Sequence, residues 1–152
     1  MKWVTRERPK TDRIACPWLI RRFIDAEGEF IYGPKDQVLV VAEQVGGHSF
    51  DAPNGEYTHT TPVDDSERCT FETLIEAHRL GGDPALARLA KIVHAADISA
   101  DVGSDPAGQG LLAIGIGGLD VEADDYRLLE RATVVYDALY AWCERDVRQP
   151  ST

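Results

Sequence analysis

Three shortages narrow the field. No run approaches the roughly 18 apolar residues of a membrane span, and the first residues, with Lys2, Arg6 and Glu7 around Trp3, lack the apolar stretch of a signal peptide. Cysteine is limited to Cys16, Cys69 and Cys143, an odd number that suits no disulfide framework, and no Cys-x-x-Cys pair marks a zinc ribbon. Free thiols and a reducing, cytoplasmic location are the expectation. Cations are also scarce, 16 Lys and Arg against 26 Asp and Glu, for a formal net charge of −10. So acidic a surface does not displace counterions from phosphate backbones, which argues against nucleic acid as the partner of this domain alone.

The charge that is present is unevenly spread. In the first 22 residues, Lys2, Arg6, Arg8, Lys10, Arg13, Arg21 and Arg22 oppose only Glu7 and Asp12. Seven cations against two acids leave +5 there, so with −10 overall the other 130 residues carry −15. Cations gathered inside a repulsive field make a local anion site, so this segment reads as a binding surface. At 152 residues and 43% hydrophobic, the chain has the size of one domain, able to bury about 68–70% of its unfolded surface. No repeat or linker divides it. The expectation is a single domain over residues 1–148 and a disordered tail over 149–152.

Local patterns predict an α+β fold, mostly helical, with a small mixed sheet of two or three short strands near the N-terminus. Lys2 to Glu7 reads as a strand, and Thr11-Asp12 as the N-cap of a helix reaching about Ile24, with Pro17 near its start. Glu29 to Tyr32 is a second strand closed by Gly33-Pro34, Asp36 to Gln44 a helix ended by Gly46-Gly47, and His48 to Asp51 a third strand, completing a βαβ-like unit. Residues 52–68 form a long loop, the usual home of a lid or site. Helices follow over Cys69 to Leu80, Pro84 to about Ser99, Pro106 to Ile116, and Asp120 or Glu122 to about Val147, the last presenting a core-packing apolar stripe. The glycines from Gly108 to Gly118 follow no strand and precede no GK[ST], so they read as close helix packing and not as a phosphate loop. Asp64-Asp65 and Asp124-Asp125 read as helix caps.

Two constellations carry chemistry. Cys16 falls near a predicted helix start beside Arg13, a setting that lowers a thiol pKa and makes it redox-sensitive. Lys10, Arg13, Arg21 and Arg22 are placed to converge on a bound oxyanion, the guanidinium forks suiting a tetraoxo ion. The second constellation offers metal ligands: His48, Asp51, His59, Cys69, Glu72, His94 and Asp97. His94 and Asp97 are three apart on one helix, and the donor types suit zinc, iron or manganese. The bland alternative makes Thr70 and Glu72 helix-start residues and Asp97 the partner of a nearby Arg or Lys.

The runs KWVTRERPKTDRIACPWLIRRFID, RCTFETLI, LARLAKIVHAAD, GLLAI and ADDYRLLERATVVYDALYAWC resemble the C-terminal domain of the chromate resistance protein ChrB family and together span nearly the whole chain. Arg13, Cys16, Trp18, Arg21 and Arg22 lie in the first run, Cys69 and Glu72 in the second, Asp97 in the third. The resemblance implies an association with chromate resistance. Longer family members are chromate-responsive regulators with an additional N-terminal region. Because this sequence begins at the motif, sensing or handling of the oxyanion is expected in preference to operator binding. TTPVDDSER separates His59 from Cys69, a departure from the family pattern that bears on any metal site shared by the two. The leading expectation is therefore a domain that binds or senses chromate or a related oxyanion through Lys10, Arg13, Trp18, Arg21 and Arg22, with Cys16 as its thiol, as a monomer or a homo-oligomer. The alternative is a metal-dependent redox or hydrolytic enzyme using His59, Cys69, Glu72, His94 and Asp97. A third reading is an interaction module that uses the basic N-terminus.

Overall fold

In a computed structural model, which describes residues 1–61 and 66–149, the chain begins with a three-stranded sheet. Its strands are β1 (Lys2–Arg6), β2 (Glu29–Gly33) and β3 (His48–Ser49), in the order β2-β1-β3. All pairings are parallel, with Lys2 opposite Glu29, Arg6 opposite Gly33, and Trp3 opposite His48. Parallel neighbours need crossovers. They are supplied by α1 (Asp12–Leu19) and α2 (Val38–Val45), the helices of the expected βαβ-like unit.

Alternation along β1 sets the two cores. Trp3 points into the main cluster with α1, α3 (Thr70–Ala77), α4 (Pro84–Asp97) and α6 (Asp125–Arg148). Val4 points the other way, against Val38, Ala42 and Ala52. The central helix is α4, which buries Leu86, Leu89, Ile92, Val93 and Ala96 and packs against α1, α3, α5 (Pro106–Val121) and α6. Where α4 meets α5 the backbones nearly touch. A Cβ on Gly108 would lie 2.5 Å from Ala95 Cβ, so the glycines of this stretch serve close packing, as the sequence suggests. Asp83, Asp105 and Asp124 cap α4, α5 and α6. The Asp64-Asp65 cap pair and the tail beyond Gln149 lie outside the described residues.

The first helix departs from expectation. It is α-helical only to Leu19 and then widens into a π-helical turn over Ile20–Ile24, closed by the Asp25 N–H on the Ile20 carbonyl at 2.6 Å. Pro17 lies inside α1, not at its start, and removes the donor that the Arg13 carbonyl would otherwise receive. All eight residues of α1 are buried, Asp12 and Arg13 included. That burial places two charges where the site forms. A short 3₁₀ segment (Ser99–Ser104) between α4 and α5 was not foreseen from the sequence. No helix among the described residues is long and apolar enough to cross a membrane.

Candidate functional site

A cleft of about 640 Å³ opens where the end of β1, the start of α1, the loop after β3 and the end of α4 meet. Four cations line it: Arg6 from the last position of β1, Lys10 and Arg13 from the approach to α1 and its first turn, and Lys35 from the turn after β2. Arg13 is decisive. Its side chain is only 7% exposed, its closest carboxylate is Asp51 at 4.0 Å, and its Nε and Nη1 are buried without a hydrogen-bond partner. Arg6 Nε is in the same condition. Two guanidinium groups with unspent donors at one cleft form an anion-seeking wall.

The same cleft also carries acids. His59, from the loop after β3, directs Nε2 at three carboxylates: Asp97 at 2.8 Å, Asp51 at 3.5 Å and Asp12 at 3.6 Å. Its Nδ1 faces Glu67 at 3.3 Å. Asp12, read from the sequence as a cap for its own helix, caps another. The Thr70 and Phe71 N–H groups, at the start of α3, donate to its two oxygens at 2.7 and 3.3 Å, and the Thr70 hydroxyl donates to Asp51 at 2.8 Å. Burial, with the charges of Asp97 and Asp51, pushes the Asp12 carboxyl up to about 7 against the opposing pull of His59. The same carboxylates hold the His59 imidazolium well above the usual histidine range despite desolvation. Thr11 and Asp51, at the cleft, have left-handed φ values of 49° and 48°. For a β-branched threonine that conformation is an outlier of the kind found at functional sites.

Sequence comparison assigns the family. Residues 3–143 match the model described as ChrB, C-terminal domain. The chain belongs to that family. It is 33% identical over 141 residues to Protein ChrB of Cupriavidus metallidurans, an alignment covering 91% of this chain. The chain spans 40% of that relative's length. No solved structure matches. ChrB membership carries the association with chromate resistance that the sequence runs implied.

Within this ChrB domain the motif residues separate into three places. Lys10 and Arg13 reach the cleft. Arg21 and Arg22 do not join them, because eight or nine residues along a helix amount to about 12–14 Å of rise. Arg21 bonds the Gly28 carbonyl and Glu130 and stacks on Phe30, while Arg22 pairs with Asp137 over Tyr140. Trp18 is core, its indole N–H donating to Asp137 at 2.8 Å. Arg8 is used elsewhere again, donating to the carbonyls of Leu119, Glu122 and Ala123 and to Asp125, a cation at the C-terminus of α5. The basic segment is thus a set of separate anchors plus one cleft, not a continuous surface.

Cys16 overturns the low-pKa expectation. It is fully buried, and desolvation with the charges of Asp12 and Asp51 drives its thiol well above the ordinary value. The helix-start argument fails because the site around the thiol is dry and acidic. The metal-ligand list also divides. His59 and Asp97 join Asp12, whereas Cys69, Glu72 and His94 form a second cluster on the other side of the α3 N-terminus. In that second cluster Glu72 Oε1 accepts the Cys69 N–H at 3.0 Å and His94 Nδ1 at 2.6 Å, and His94 Nε2 reaches Asp101 at 2.6 Å. Both imidazole nitrogens are engaged by carboxylates, and burial raises the Cys69 thiol. Glu72 is therefore a helix-start residue, as the bland reading had it, but Asp97 partners His59 and not Arg or Lys. His48 stays apart, held by Glu56 and stacked on Trp3.

Asp12, Arg6 and Lys35 were not picked out by sequence reasoning. Asp12 resembled a local cap, Arg6 counted only as one cation of the basic N-terminal segment, and Lys35 carried no signal of its own. Only their convergence distinguishes them.

Proposed function

We propose that this chain binds a small tetrahedral oxyanion of the chromate class in the cleft walled by Arg6, Lys10, Arg13 and Lys35. The observation that carries this reading is the buried Arg13 guanidinium with two unpartnered nitrogens. A charged donor left unsatisfied in the interior costs several kcal/mol, on the order of the penalty for breaking a buried ion pair, and a ligand that supplies the missing acceptors offsets it. A tetraoxo dianion offers paired oxygens to two guanidinium forks at once. Family membership then favours chromate among such ions. The reading keeps Lys10 and Arg13 as binders and replaces Arg21, Arg22 and Trp18 with Arg6 and Lys35. Cys16, buried and protonated beneath the acidic wall, is not a thiol that chromate meets in the folded protein.

Isothermal titration with chromate, and with sulfate as a non-oxidising isostere, tests it. Arg13→Ala is expected to weaken binding at least 10-fold, an effect of about 1.4 kcal/mol or more, and Lys35→Ala, an exposed change that leaves folding intact, to weaken it less. Arg22→Ala is the control and leaves affinity unchanged. Absence of binding to the unaltered chain, or equal affinity in a folded Arg13→Ala protein, sinks the reading.

A further inference from the structure

The acidic wall of the cleft is more than a counterweight to the arginines. Three carboxylates converge on His59 Nε2, which carries at most one hydrogen, so a proton cannot serve all three. Their separations from that nitrogen, 2.8, 3.5 and 3.6 Å, bracket the distance of about 3.0–3.4 Å between ligand atoms on a shell with bonds near 2.1 Å. The outer contacts have the form that orients metal ligands. Glu67 faces Nδ1, leaving Nε2 for the cluster, and Asp12 and Asp51 are fixed by the Thr70 and Phe71 amides and the Thr70 hydroxyl. Asp12 is wholly buried and His59 is about one-third exposed, so the cluster is anchored in the interior and opens towards the cleft.

An independent observation at the same place points to a ligand. The Arg13 guanidinium, whose Nε and Nη1 have no hydrogen-bond partner, lines this cleft and pairs only loosely with Asp51, at 4.0 Å. An oxyanion drawn to Arg13 would meet the charges of Asp51 and Asp97, which line the same cleft. A divalent cation among the carboxylates removes that repulsion and gives the anion a second positive contact.

We propose that Asp12, His59 and Asp97, with Asp51 beside them, hold a divalent, oxygen-preferring first-row ion, with manganese(II) as the type, whose open positions face the cleft beside Arg13. The donor set of two carboxylates and one imidazole, without sulfur, selects such an ion over a thiolate-loving one. The anion half of this inference rests on the oxyanion reading of the cleft. The metal half stands on the cluster alone.

Manganese(II) titration of the metal-stripped chain, followed through the EPR signal of the free aquo ion, separates the two. One tight equivalent per chain is expected. Asp97→Asn and His59→Gln should each weaken it at least 10-fold, and Arg22→Ala, remote from the cleft, and the second-cluster variant Glu72→Gln should leave it unchanged. Manganese binding that ignores Asp97→Asn and His59→Gln, or its absence, overturns the site. Sulfate affinity, measured by calorimetry with and without one equivalent of manganese(II), should rise at least 10-fold with the metal. Equal affinities overturn the joint role. A chain that binds manganese at these residues but binds no oxyanion in either form upholds the metal site and removes the oxyanion reading.

Discussion

At the scale of single residues, burial decides what a side chain does, and sequence does not display burial. Cys16 and Arg13 are three apart in one helix, and the sequence places both at a basic helix start without showing whether either is exposed. The fold buries both, which silences the thiol and leaves the guanidinium waiting for acceptors. All three cysteines are free and buried, and burial raises each thiol, Cys143 to about 11. A thiol reagent added at neutral pH is therefore expected to label none of them rapidly in the native chain and three in denaturant. One fast-reacting cysteine, traced to position 16 by peptide mapping, would restore the redox role. His94 offers the complementary test. Burial opposes its charge, but hydrogen bonds to Asp101 and Glu72 and their charges prevail, so its folded pKa lies above 6.5. Lys91 lines the same small pocket and opposes them in sign. Because the folded pKa is the higher one, the stabilisation is complete below pH 6.5 and is lost as pH rises through the folded value. The imidazole proton shifts should titrate with a midpoint above 6.5, and His94→Gln should flatten the loss of thermal stability on the alkaline side. A midpoint at or below 6.5 rules this out.

Elements were far more legible than their meetings. The strands, α2 with its left-handed Gly46 end, and the capped helices α4 and α6 follow local rules, and the sequence marks them within a few residues. The π turn after Leu19 and the Asp12 cap on α3 were hidden because each depends on chain more than local spacing reveals; Asp12 and Thr70 are 58 residues apart. The same holds for the site, of which Lys10, Arg13, Asp51, His59 and Asp97 were named from type and spacing but not assembled together. At the α4–α5 crossing the rule is steric. Gly108→Ala would drive a methyl to 2.5 Å from Ala95 Cβ, with Ala95 C and Ala96 N at 3.2 Å, and backbone there cannot yield cheaply. We expect a loss of about 1–3 kcal/mol from overpacking. Gly110, on the same helix, has nothing within 4 Å of a built Cβ, so Gly110→Ala should gain about 0.5–1 kcal/mol from helix propensity. Thermal melts of the two variants should move in opposite directions, by about 2–4 °C per kcal/mol for a chain of this size. Parallel shifts would mean that α4 and α5 are not in this contact.

At the scale of the whole molecule, the body of the protein and its cleft act on an anion with opposite signs. The formal net charge of −10 repels a dianion at long range, while Arg6, Lys10, Arg13 and Lys35 attract it only once it has entered. Screening separates the two by distance. The Debye length falls from about 30 Å at 0.01 M to about 10 Å at 0.1 M salt, so added salt removes the repulsion of the body first and reaches a partly buried contact of a few ångströms much less. The association rate constant for chromate, measured by stopped flow through quenching of tryptophan fluorescence, should therefore rise as sodium chloride goes from about 10 to about 100 mM. A basic anion-binding protein shows the reverse. Duplex DNA, whose phosphates cannot enter the cleft one at a time, meets only the repulsive body and should not be retained even at the lower salt. A chromate rate that falls steadily with salt, together with DNA retention at low salt, would show that the seven N-terminal cations act as one surface after all, against the pairing of Arg8, Arg21 and Arg22 with acids and carbonyls elsewhere in the fold.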